Sequence, residues 1–255
     1  MPTSSSETPL IRVRNLHQSF GNNQVLRGVD VDIYANETVC LLGRSGGGKT
    51  VLVKHMLGLI QPLEGSVEIG GVDISNMRER ELAPIRKKIG MMFQNGALFD
   101  SFNVAQNIAF PLREQGVTDE DELNRRVSDV LDIVQLPGQE DTMPSELSGG
   151  MKKRVALARA IVHHPECVCY DEPHAGLDPI TAYRIDKLIK CLQQDHGITN
   201  IVITHELRSV FRIADRIIFM KDGKVYWQGT PDEMQASHDS ILSDFVAGSS
   251  SHDKQ

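Results

Sequence analysis

The sequence predicts an α/β fold with a helical segment inserted into it. Three observations carry that expectation. An apolar run, Thr38–Leu42, leads directly into a glycine-rich loop and then a helix; short apolar strands recur on both sides of it; and between Gln94 and His164 the pattern changes to a helical period.

Taken in order, a strand opens near Ile11–Val13, and the alternation Val29, Val31, Ile33 reads as a half-buried strand leading to Thr38–Leu42. The helix that follows, Thr50 to about Leu57, is apolar on several sides and stops near Gly58, as a helix packed on a sheet would. Further strands are expected at Val67–Ile69, Ile89–Phe93, Cys167–Tyr170, Ile201–Thr204, Ile217–Met220 and Val225–Trp227. The last two flank Asp222-Gly223, a strong hairpin signal. Between Gln94 and His164, Leu123, Val127, Val130, Leu131 and Val134 form one apolar stripe, with Thr118 and Asp121 as candidate caps and Asp119–Glu122, Arg125 and Arg126 as its solvated face. His163-His164 reads as a solvated helix end.

Length and composition bound the function. The 255 residues, 40% hydrophobic, suffice for one large domain with a sizeable core, and the ends, Pro2–Thr8 and Gly248–Gln255, are expected to be loose. A net charge of −7 argues against a general nucleic-acid binder. No apolar run reaches the roughly 18 to 20 residues that cross a bilayer, and Met1–Pro9 lacks the regions of a secretory signal. Any membrane role is therefore expected through a partner. Cys40, Cys167, Cys169 and Cys191 lack C-x-x-C spacing and read as small core hydrophobes rather than ligands or disulfides.

The loop Gly43-Arg44-Ser45-Gly46-Gly47-Gly48-Lys49-Thr50 fits G-x-x-x-x-G-K-[ST]. In that motif backbone N–H groups cradle phosphates, the lysine reaches the outer phosphates and the hydroxyl binds Mg²⁺. Further along, Asp171 closes an apolar strand, where a carboxylate can hold Mg²⁺ through water, and Glu172 is placed to polarise an attacking water; alone, such a pair is as readily a helix cap. Gln94, after the strand Ile89–Phe93, can touch metal and water or be an ordinary loop amide. His205 ends another strand, where it can bond a terminal phosphate or be structural. Ser148-Gly149-Gly150 reads either as a flexible turn or as an N-cap that opens a helix running through Val155, Ala158 and Val162. Its positive end would then be open to an anion.

The phosphate loop, Leu147-Ser148-Gly149-Gly150, Tyr170-Asp171-Glu172-Pro173 and the strand ending at His205, in that order, resemble the ATP-binding cassette (ABC) family of transport ATPases. The resemblance covers almost the whole chain. It implies a P-loop NTPase with a RecA-like core, an N-terminal antiparallel β subdomain and an inserted helical subdomain at about 96–164, the whole occupying residues 10–247. It also implies ATP and Mg²⁺ as cofactors. Glu172, His205, Gln94 and Lys49 would be catalytic, and Thr50, Gln94 and Asp171 would serve the metal. Phe20, before Gly21, matches the aromatic position that stacks on adenine, although ordinary packing would also explain it. In the family, Ser148, Gly149 and Gly150 would bind the terminal phosphate held on the P-loop of a second subunit. That implies a two-fold homodimer, with Asp178 in the loop that couples the two sites.

Met151 replaces the Gln common in uptake cassettes. With Phe93–Phe99, Pro111–Glu114 and Met143–Met151, it makes the chain similar to the ATPases of bacterial Mla-type phospholipid transport systems. That similarity implies an inner-membrane permease, a periplasmic MCE lipid-binding protein, a small cytosolic STAS-domain protein, no nucleic acid, and a place on the cytoplasmic face of the inner membrane. Ala97, Leu98, Phe99 and Phe102 would form a groove for a permease helix or belong to the local core. His174-Ala175 departs from the commoner Thr-Ser. An ATPase of an importer for amino acids or other small solutes would share every catalytic residue. A DNA-maintenance cassette would carry a coiled-coil or zinc insertion, and a small-molecule kinase would leave Leu147–Met151 and His205 without purpose.

Overall fold

Period-two alternation at the start of the chain builds a sheet with one buried face. The structure, a computed structural model, describes residues 8–251, which fall into two compact units, 8–86 with 214–251, and 87–213. In the first, β1 (Ile11–Phe20) and β2 (Asn23–Ile33) pair antiparallel, β4 (Glu64–Ile69) lies on the other side of β1, and β5 (Val72–Asp73) follows it. The register sets Ile11 opposite Ile33, Val13 opposite Val31 and Leu16 opposite Val29, all buried. β1 runs well past Val13 because register irregularities between Val13 and Leu16 and again beyond Leu16 interrupt the alternation without ending the pairing.

In the same unit β3 (Thr38–Leu42), buried at every position, pairs parallel with β9 (Arg216–Lys221), and β9 turns back into β10 (Lys224–Gly229). The turn residues Asp222 and Gly223 have φ of 50° and 76°, as a two-residue type I′ hairpin requires. Helix α1 (Lys49–Met56) follows the glycine loop. α2 (Glu79–Arg86) buries only Leu82 and carries Pro84, so the sequence gives little helical period there. Arg86 ties it down through the carbonyls of Leu57 and Gly58. Near the end of the chain come α8 (Pro231–Gln235) and α9 (Ser240–Ser251). The backbone of 248–251 belongs to α9, whereas the other tail residues, 1–7 and 252–255, lie outside the described ones.

The second unit holds a parallel run of β6 (Ile89–Met92), β7 (Cys167–Asp171) and β8 (Thr199–Ile203), in register from Ile89 through Cys167 to Thr199. Three helices pack together between β6 and β7 in the chain: α3 (Val104–Glu114), α4 (Glu120–Ile133) and α5 (Gly149–Ile161). The expected stripe of α4 is buried, and Arg113–Glu120 and Arg125–Asp129 pair on its exposed side. Its cap is Asp119, which accepts the N–H of Asp121 and Glu122, not Thr118 or Asp121. Asn107, fully buried, bonds the backbone of Phe99, Phe102 and Asn103, and so fixes the loop between Gln94 and α3.

His163 corrects a second expectation: it is half-buried, and burial pushes its pKa down to about 4, so it is not a solvated helix end. α6 (Pro179–Gln194) and α7 (Leu207–Ile213) complete the unit. The four cysteines are free thiols in β3, β7 and α6. Among the described residues no helix is long and apolar enough to cross a membrane.

Candidate nucleotide site

The first unit holds the glycine loop that the sequence offers as a phosphate cradle. β3 delivers the chain at Gly43, and α1 opens at Lys49 with Gly48 in the N-cap position, so no N-cap side chain takes up the first N–H groups of that helix. Gly48 has φ 93°, and a Cβ there would lie 2.7 Å from Leu26 Cδ2, so only glycine fits. Lys49 is 6% exposed; its Nζ donates to Gly43 O at 2.7 Å and Arg44 O at 3.1 Å, which holds the ammonium inside the loop. Arg44, Ser45, Gly46 and Thr50 are exposed, Gly47 partly so. At the end of β1, Phe20 is 50% exposed, an apolar ring that core packing does not account for.

The second unit supplies carboxylates and an imidazole. Asp171 ends β7 opposite Ile203 of β8, and the next residue, Glu172, adopts φ 47° while its N–H donates to Ile203 O at 2.9 Å. That turn brings Glu172 Oε1 to 3.1 Å from His205 Nε2, with the His205 side chain exposed and the Glu172 side chain partly buried. Gln94 is exposed, two residues past the end of β6.

The sequence reading missed Lys153. Its buried ammonium donates to Gln94 O and reaches Glu172 O at 3.4 Å, so one cation ties together the ends of β6 and β7. Burial lowers its pKa, while Glu172 and Asp171 draw it back up. A lysine in a helix just after Ser-Gly-Gly looks like surface charge; only the packing of α5 shows otherwise. Replacing it in Lys153→Met, which keeps the stem and removes the donor, should lower stability by about 1–3 kcal/mol, because the two carbonyls lose their partner. A urea titration checks this, and an unchanged midpoint would show that the bonds contribute nothing to the fold.

The remaining candidates sit at two helix starts of the same unit. Ser148 caps α5, its Oγ accepting the Met151 N–H at 3.3 Å, with Ser148 and Gly149 exposed at the helix end. Gly150 faces α6 so closely that a Cβ would meet Thr181 Cγ2 at 2.4 Å. Asp178 caps α6, accepting from the N–H groups of Ile180 and Thr181 at 3.0 Å and from the Thr181 hydroxyl at 2.5 Å. Those bonds, the hydroxyl's first, hold its carboxyl below the usual range.

The order and local geometry are those of a nucleotide-hydrolysing cassette, and a family model described as ABC transporter matches residues 26–175. The chain belongs to that family. It is 38% identical to the intermembrane phospholipid transport system ATP-binding protein MlaF of Haemophilus influenzae, over 94% of this chain and 91% of that one. It is also 38% identical to the chloroplastic protein trigalactosyldiacylglycerol 3 of Arabidopsis thaliana, over 94% of this chain and 74% of that one. With the methionine import ATP-binding protein MetN of Carboxydothermus hydrogenoformans it shares 39% identity, over 86% of this chain and 66% of that one.

Among solved structures, CbiO1 of Clostridium perfringens, part of an ABC transporter complex, superposes with a TM-score of 0.84 at 31% identity, covering 94% of this chain and 96% of that one. The ATP-binding cassette MJ0796, in a dimeric post-hydrolysis state with ADP and phosphate, gives 0.79 at 30% identity, covering 87% and 98%. This ABC cassette is therefore an ATP-binding subunit of a transporter and an ATPase, with the P-loop NTPase fold.

Proposed function

We propose that the cassette drives phospholipid transport between membranes, as a homodimer bound to an inner-membrane permease on its cytoplasmic face. The observation that carries the lipid assignment is the near end-to-end match to MlaF, 38% identical over 94% of this chain. The matched galactolipid-named plastid protein supports the same substrate class. A periplasmic MCE protein and a cytosolic STAS-domain protein are the partners this reading adds. The aromatic cluster of Phe99, Phe102 and Phe110, with Phe99 41% exposed and under the Arg159 guanidinium, offers an apolar surface for a permease helix.

Within this reading the phosphates of ATP lie on the Gly43–Gly48 amides with Lys49 compensating their charge, and Phe20 stacks on the adenine. Glu172 polarises the attacking water, His205 steadies both that carboxylate and the terminal phosphate, and Gln94 positions the water. The oxygen donors this reading assigns, the Thr50 hydroxyl, the Asp171 carboxylate and the Gln94 amide, are of the kind a hard cation such as Mg²⁺ takes, and that cation would neutralise phosphate charge. Ser148, Gly149 and Gly150 serve the nucleotide of the second subunit, with Asp178 beside them.

The match to MetN favours a second reading, import of a small solute. Deleting the gene in a Gram-negative host separates the two. The lipid reading expects lost outer-membrane asymmetry and detergent sensitivity, not rescued by a Lys49→Ala copy. An intact barrier with starvation cured by one nutrient would overturn it.

A further inference from the structure

His174, the residue at which the chain departs from the commoner pattern after Asp-Glu-Pro, is buried at 7% exposure inside a polar cluster. Its Nε2 lies 2.8 Å from Asp186 Oδ1, and its Nδ1 lies 3.4 Å from the hydroxyl of Thr204, which is itself fully buried. Thr204 Oγ1 accepts the Glu206 N–H at 3.1 Å and still has a proton and a second lone pair to offer His174 Nδ1, whereas Asp186 Oδ1 is a carboxylate acceptor, so His174 Nε2–H is the donor to it. Asp186, with no exposed surface, also accepts from Ser209 Oγ at 3.0 Å and from Arg212, both on α7. A buried carboxylate with three such donors is a rigid anchor, because moving any one of them removes part of what offsets the cost of burying the charge.

The cluster brackets the pair read above as hydrolytic. His174 follows Glu172 with only Pro173 between them, a residue of fixed φ, and Thr204 and Glu206 flank His205 on either side. One imidazole therefore holds the backbone next to both members of the Glu172–His205 contact at 3.1 Å. We propose that His174 is a positioning residue for ATP hydrolysis, holding Glu172 and His205 in register by anchoring the Thr204–Glu206 turn to Asp186. This rests on the reading of Glu172 and His205 as the hydrolytic pair.

The test uses the purified full chain and four variants: His174→Leu, Thr204→Val, Thr204→Ser and Glu172→Gln. Thr204→Val removes the hydroxyl at nearly constant volume, so it remains informative if His174→Leu fails to fold. Displacing a catalytic pair by a fraction of an ångström should lower kcat about tenfold with the KM for ATP unchanged, in both His174→Leu and Thr204→Val, and Thr204→Ser should restore the parent's kcat. A Thr204→Val enzyme with the parent's kcat overturns the inference. So does a loss of kcat matched by an equal loss of ATP affinity, or a Thr204→Ser enzyme as slow as Thr204→Val, since either marks a merely structural role. Normal Thr204→Val turnover beside an inactive Glu172→Gln would sink the inference alone; full turnover in Glu172→Gln would sink the hydrolytic reading and the inference with it.

Discussion

Glu172→Gln should bind ATP as the parent does and hydrolyse it at least about 100-fold more slowly. The amide is nearly isosteric and can still pair with His205, now 3.1 Å from the carboxylate, so local geometry should survive. What is lost is a carboxylate able to polarise water and accept its proton, an effect typically worth about 10² to 10⁴ in rate. Binding should hold because the phosphate cradle around Gly48 and Lys49 belongs to the other unit of the chain. Phosphate release and nucleotide affinity, measured on the same preparation, separate the two effects. Turnover near the parent's with affinity intact would remove Glu172 from the role of base.

Ser148→Arg should leave ATP binding by the single chain intact and abolish ATP-driven dimerisation. Ser148 and Gly149 are exposed at the start of α5, where an arginine would fill the open helix end that a second subunit's nucleotide would meet. The fold should tolerate the change, since losing one N-cap bond costs about 1 kcal/mol. Lys49→Ala makes the contrasting control, because removing the ammonium from the cradle should abolish nucleotide binding itself. Sizing in the Glu172→Gln background with and without ATP reads both outcomes. A Ser148→Arg chain that still dimerises on ATP would defeat the shared-site reading.

Much of this architecture is legible wherever the physical signal is local. The apolar run Thr38–Leu42 is long enough only for a buried strand and abuts a glycine-rich stretch that cannot continue it, and the strand has those bounds. Asp222-Gly223 demands two positive φ angles, which few residue pairs tolerate, and the hairpin forms there. The stripe Leu123 to Val134 has one helical period, and its members are buried. Signals that depend on one residue's partner were weaker. The α4 cap fell to Asp119 among several acidic neighbours, and His163 lost its solvent to packing that no local pattern records.

The sequence by itself determined the family, because its motifs stand in a particular order along the chain and a linear sequence preserves order. Tertiary structure alone decided which side chains are held by others. In the sequence Lys153 draws no notice and His174 is only a departure from the commoner residue, yet both are buried and bond across elements far apart in the chain, Lys153 to Gln94 and Glu172, His174 to Thr204 and Asp186. Such bonds are set by how β6, β7, β8 and their helices pack, and a polar side chain carries no periodicity that could announce its partner. The order of the motifs is therefore visible in one dimension, whereas the bonds that fix local geometry appear only when the chain is folded.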